Sequence, residues 1–104
     1  MAMRMTLQTQ LILRAMLDNP QDMHYGLELA ERAGLKSGTL YPILTRLERN
    51  GLVESSWEDV DPSVAGRPAR RYYRLTAEGL HTAATVLSES VARLSPDAKT
   101  LPLH

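Results

Sequence analysis

Four arginines, Arg67, Arg70, Arg71 and Arg74, fall within eight residues of the stretch AGRPARRYYRLT, two of them flanking the pair Tyr72 and Tyr73. Guanidinium groups at this density suit the recognition of phosphate or carboxylate, because each planar fork donates its hydrogen bonds in pairs. The other residues with chemical potential do not converge. His24, His81 and His104 are scattered, no serine stands in a nucleophile elbow, and the glycines form no phosphate-binding loop. With no cysteine there is neither a thiolate nucleophile nor a Cys-based zinc site. No catalytic residue, metal ligand or cofactor is expected, and a small hydrolase or metal enzyme is set aside.

The arginine cluster stands against a neutral background. Twelve Lys and Arg balance twelve Asp and Glu, so any affinity for a polyanion has to come from local placement. A chain of 104 residues suits one small domain with one modest core and an appended element. The N-terminal stretch MAMRMTLQTQLILRAML contains no apolar run of signal-peptide or membrane-span length, and a soluble cytoplasmic protein is expected.

Elements able to position the arginines follow from the hydrophobic periods. The spacing predicts a first helix from about Thr6 to Asp18, with Leu7, Leu11, Ile12, Ala15 and Met16 on a broad apolar face. A second helix is expected from about His24 to Ala33, with Leu27, Ala30 and Ala33 along one side and Gly34 as its left-handed C-terminal residue. A third begins at Ser37 or Thr39, either of which could cap it. It buries Leu40, Leu44 and Leu47 and stops at Asn50-Gly51, where Leu52 closes the cap. Pro42 costs least if Thr39 is the cap, so a short or irregular first turn is expected.

Beyond Gly51 the period falls to two. LVESSWE and RRYYRLT read as the strands of a hairpin, and DVDPSVAGRPA reads as its long tip. Tyr73 and Leu75 take one face of the second strand, and Arg70, Tyr72 and Arg74 the other. Trp57 is expected to anchor the hairpin to the helices. Three helices and a two-stranded hairpin make a winged helix-turn-helix, mainly α with a β-hairpin wing, and the arginines lie on that wing.

On HYGLELA, SGTLYPILTRLERNGLV, GRPARRYYRLT and the following AEG, the chain resembles the PadR-type transcriptional regulators over most of residues 5–80. The pairing of GTLYP with RRYYRLT is the most specific part. The resemblance implies a dimer that binds operator DNA as a repressor, relieved in many similar proteins by a small-molecule effector. Where such an effector is a flat aromatic held by a tryptophan between terminal helices, this chain departs, since its one tryptophan is Trp57 in the hairpin.

Read from the residues, DNA would meet the exposed half of the third helix. Lys36 neutralises the backbone, Ser37 and Thr39 meet phosphates or base edges, Pro42 shares that exposed surface, and Arg46 reaches a guanine edge or a phosphate. Tyr41 is assigned to DNA on the resemblance, against a packing role. Held between Gly66 and Pro68, Arg67 suits a narrow minor groove, while Arg70 and Arg71 suit phosphates. Arg74 could contact phosphate or pair with Glu54 or Glu58 across the hairpin.

A last helix is expected from about Ala77 to Leu94, capped by Thr76. Leu80, Ala84, Leu87, Val91 and Leu94 step along it as a seam, widened by Ala83. Residues 1–75 then form the winged domain, 76–94 a dimerisation helix that meets the Leu7 and Leu11 side of a partner's first helix, with packing back on its own chain as the alternative, and 95–104 a loose tail. The competing reading is a winged-helix module for protein contact without specific DNA binding, favoured by the neutral charge and by Glu58, Asp59 and Asp61 in the wing loop.

Overall fold

A computed structural model describes residues 4–94. In chain order it holds α1 (Leu7–Leu17), β1 (His24–Tyr25), α2 (Gly26–Ala33), α3 (Ser37–Arg49), β2 (Val53–Trp57), a one-turn α4 (Pro62–Ala65), β3 (Arg71–Leu75) and α5 (Ala77–Leu94). This is the winged helix-turn-helix that the periods imply, with one addition. The hairpin of β2 and β3 gains a third antiparallel strand, in the order β1-β3-β2. His24 and Tyr25, expected to open the second helix, instead pair with Tyr73 and Tyr72.

Each helix end has a local cause. Thr6 accepts a hydrogen bond from the Thr9 N–H at 3.2 Å and starts α1. Gly34 adopts φ 71° and ends α2, with the Leu35 N–H closing on the Ala30 carbonyl. Gly51 repeats the device at φ 74°, and the Leu52 N–H returns to the Leu47 carbonyl at 3.0 Å. The start of α3 differs from expectation. Lys36 is its N-cap, and neither Ser37 nor Thr39 supplies a side-chain cap. Pro42 therefore lies inside the helix. Its missing N–H leaves the Gly38 carbonyl without its usual helical donor, and Gly38 is exposed to water that can replace it.

The core joins Ile12, Leu13 and Met16 of α1 to Leu29 of α2, Leu40, Leu44 and Leu47 of α3, Val53, Tyr73 and Leu75 of the sheet, and Ala83 of α5. Each fully buried Leu, Ile or Val contributes roughly 1.5 to 3 kcal/mol of apolar transfer. Leu27 falls outside this core and is exposed, its expected place taken by Leu29. In the same way Leu7 is 69% and Leu11 37% exposed, so the buried face of α1 is turned away from them.

The first half of α5 packs against its own chain. Thr76 Oγ1 accepts the Gly79 N–H at 2.9 Å and donates to the Gly51 carbonyl at 2.7 Å, tying the helix start to the end of α3. Ala83 is fully buried and Leu80 packs on the core. Ala84 is exposed and Leu87 half-buried, so only part of the predicted seam is covered within the chain. The side chains of Val91 and Leu94, and all of residues 95–104, lie outside the described residues.

Candidate nucleic-acid interface

The solvent side of α3 carries the residues singled out in the sequence. Lys36, Ser37, Thr39, Pro42 and Arg46 are exposed. Lys36 and Arg46 form no ion pair among the described residues, so both cations are free to meet an anion. Tyr41 is half-buried and lies at the boundary with the sheet, its ring tilted against Tyr73 at 6.4 Å. Its position depends on Gly26: a Cβ there would stand 2.6 Å from the Tyr41 hydroxyl. The close approach of α2 to that ring was not legible from the third helix alone.

Between α3 and the wing lies an open cleft of about 500 Å³, lined by Tyr25, Tyr41, Trp57, Tyr73 and residues 67–71. Its arginines have different partners. The Arg70 guanidinium stacks over the Tyr25 ring at 4.8 Å and forms no ion pair among the described residues. That contact uses the face of the guanidinium and leaves N–H edges available. Arg71 shares the parity of Tyr73 but lies past the core edge, over the Trp57 ring at 5.4 Å, 2.9 Å from the Ser55 hydroxyl and 3.5 Å from Glu48. Trp57 is 64% exposed and carries the Arg71 guanidinium over its ring at the cleft edge, so the expected anchoring role does not hold. Arg74 pairs with its register partner Glu54, as one of the alternatives foresaw.

Arg67 does not extend freely. It follows a one-turn helix whose C-cap, Gly66, has φ 73°, and its guanidinium turns back onto Glu58, with N–O distances of 2.6 and 3.0 Å. Glu58 also accepts the Arg70 backbone N–H at 3.2 Å, while its own N–H donates to the Arg70 carbonyl at 2.7 Å. The Arg67 hydrogen bonds outweigh partial desolvation and, with the Arg70 N–H, pull the Glu58 pKa down to about 2. Glu58 is thus a structural tie across the wing base, whereas the sequence offered it as an acid at the start of the loop or as a partner of Arg74.

His24 is also more than the start of a helix. It is buried, and Arg32 lies 2.8 Å from its Nδ1. A guanidinium only donates, so Nδ1 accepts and the ring proton sits on Nε2, 3.0 Å from the Asn19 carbonyl. Burial lowers the His24 pKa; the Asn19 hydrogen bond opposes this and the Arg32 charge adds to it. The neutral imidazole joins the loop before β1 to α2. Among the described residues no group of His, Asp or Glu is arranged to hold a metal ion, and no helix is long and apolar enough to cross a membrane.

A helix-turn-helix with a wing, a cation-bearing third helix and an arginine-lined cleft between them defines a winged-helix regulator by architecture. The model of the transcriptional regulator PadR-like family matches residues 15–85, and the chain belongs to that family. A PadR family regulator from hypervirulent Clostridium difficile R20291 is 25% identical with TM-score 0.71, the match covering 93% of this chain and 100% of that one. A PadR family regulator from Eggerthella lenta DSM 2243 is 27% identical with TM-score 0.66, covering 94% and 88%. The PcaV regulator from Streptomyces coelicolor, solved with its natural ligand, is 28% identical with TM-score 0.66, covering 95% of this chain and 63% of its own. The chain spans less than two thirds of PcaV and of several further regulators it matches. No curated protein matches it.

Proposed function

We propose that the chain is a homodimeric, sequence-specific DNA-binding repressor that grips an inverted-repeat operator with α3 and the wing. One observation carries this reading: Tyr41 of α3 and the 67–71 segment of the wing line one cleft, and Lys36 and Arg46 on the exposed surface of α3, like the Arg70 guanidinium, form no ion pair among the described residues. Cations on the exposed surface of α3 and on the wing fit a duplex whose major groove receives the helix while the wing follows the adjoining backbone. Arg46 reads a base edge or a phosphate, Ser37, Thr39, Tyr41 and Pro42 border the groove, and Arg70 and Arg71 hold phosphates.

Dimerisation supplies the two-fold symmetry of the operator. Leu7 and Leu11 of α1, with Ala84 and Leu87 of α5, are among the apolar side chains that the fold leaves uncovered or half-covered, and the Val91 and Leu94 positions continue that helix. A small-molecule effector would act by changing the distance between the two α3 helices; the similar PcaV regulator is itself solved with its natural ligand. The protein works in the cytoplasm, where its DNA is. Selection from a pool of random-sequence duplexes is the test. Enrichment of an inverted repeat, its half-sites about one helical turn apart, is expected. No enrichment would favour the protein-contact module, for which the acids paired with Arg67, Arg71 and Arg74 leave room.

A further inference from the structure

Three of the four wing arginines are held by acids, and the three grips are unequal. Arg74 and Glu54 are both well exposed, and Arg71 reaches Glu48 at one 3.5 Å contact. Glu58 is different: its carboxylate collects two Arg67 N–H groups and the Arg70 backbone N–H, and its side chain is only 16% exposed. Such convergence of a guanidinium fork and a main-chain N–H is how proteins hold a phosphate.

Resting on the DNA-binding reading above, we propose that Glu58 is an internal stand-in for a DNA phosphate and a specificity-determining residue of the wing. It occupies Arg67 until a duplex is held firmly enough elsewhere to exchange a phosphate for the carboxylate. Freeing Arg67 costs about as much as the new contact returns, since both are charge-assisted pairs of the same kind. The exchange therefore proceeds only when α3 has engaged its bases and Arg70, whose guanidinium forms no ion pair among the described residues, already anchors the wing. On unselected DNA the pair stays closed and Arg67 contributes nothing. A neutral chain thereby keeps a strongly cationic wing without binding every duplex it meets.

The test uses the full chain, a labelled mixed-sequence duplex of about 30 base pairs and the duplex obtained by selection, followed by anisotropy at several salt concentrations. Glu58→Gln keeps an acceptor for the Arg70 N–H and removes the charge. It is expected to bind the mixed duplex roughly three- to tenfold tighter at low salt, to steepen the salt slope by about 0.9, and to narrow the preference for the selected duplex. Adding Arg67→Ala to Glu58→Gln should abolish that gain, while Arg67→Ala alone, which leaves the Glu58 carboxylate uncompensated, should weaken mixed-duplex binding. Arg67→Lys, which keeps the charge but gives up the fork, should shift mixed-duplex affinity in the same direction as Glu58→Gln, and covers the case in which that variant misfolds. Unchanged slope and affinity in Glu58→Gln, or a gain that survives removal of Arg67, would overturn the inference alone. A wild type that binds neither duplex would overturn the DNA reading and the inference with it.

Discussion

Gly79 sets how closely α5 can lie on the rest of the fold, and Gly79→Ala tests it. A Cβ at this position would stand 1.8 Å from the Leu52 carbonyl oxygen and 2.7 Å from its carbon. Both are backbone atoms at the turn between α3 and β2, so no side-chain rotation relieves the overlap. The helix has to retreat by more than about 1 Å, well beyond what a packed interior absorbs. A retreat of that size breaks the Thr76 hydroxyl bond to Gly51 and the Thr76 N–H bond to Leu52, at 2.7 and 3.1 Å, which together contribute about 2 kcal/mol. Looser packing of Ala83 and Leu80 adds roughly 1 to 2 kcal/mol. Against this stands the helix preference for Ala over Gly, about 0.5 to 1 kcal/mol. The net expectation is a loss of about 2 to 3 kcal/mol. Urea denaturation at fixed protein concentration, read by far-UV circular dichroism, should show the midpoint falling with the slope preserved. An unchanged or raised midpoint would refute the reasoning, because it would mean that α5 does not rest on Leu52.

Other perturbations probe other parts of the molecule. Gly26→Ala should push the Tyr41 ring out of its seat, with loss of the Tyr73 contact limiting the stability cost to about 1 kcal/mol, while affinity for the selected duplex falls by considerably more than stability alone explains; urea midpoints and anisotropy check the pair. The lowered His24 pKa means that the unfolded chain takes up the proton first, so its share of stability is intact above pH 6.5 and is lost as pH falls from there through the folded-state value. Thermal melts between neutral and mildly acidic pH should show that decline, and it should be weaker in His24→Gln. Leu87→Glu should yield a monomer in sedimentation, because the seam would have to bury a carboxylate from each chain; a folded variant that stays dimeric would move the interface elsewhere.

What the sequence revealed and what it hid divide along the range of the interactions. Leu40, Leu44 and Leu47, with Gly34 and Gly51 at the helix ends, are local signals, and the structure keeps them. The winged architecture followed from them and from the strand alternation of Tyr73 and Leu75. Strand β1 was hidden because two residues have no period of their own; His24 and Tyr25 become a strand only through Tyr73 and Tyr72, far along the chain. The Arg67 pair with Glu58 depends on how the α4 turn folds the tip back, and spacing in a loop does not encode that. Trp57 was expected to anchor the hairpin as a large aromatic beside the helices, and the type of residue did not reveal that it stands exposed at the cleft edge under Arg71. The third-helix surface was legible because its core face was.

The most direct test of the central claim is the salt dependence of binding to the selected duplex, measured for wild type, Arg70→Ala and Arg46→Ala. If α3 and the wing grip the DNA together, wild-type affinity falls steeply as salt rises, and Arg70→Ala lowers the slope by about 0.9, the value of one phosphate contact. Arg46→Ala then either does the same or costs about 1 to 3 kcal/mol with relaxed preference at one base pair per half-site. Affinities and slopes that are identical in all three proteins would contradict the claim that this cleft is the DNA-binding face.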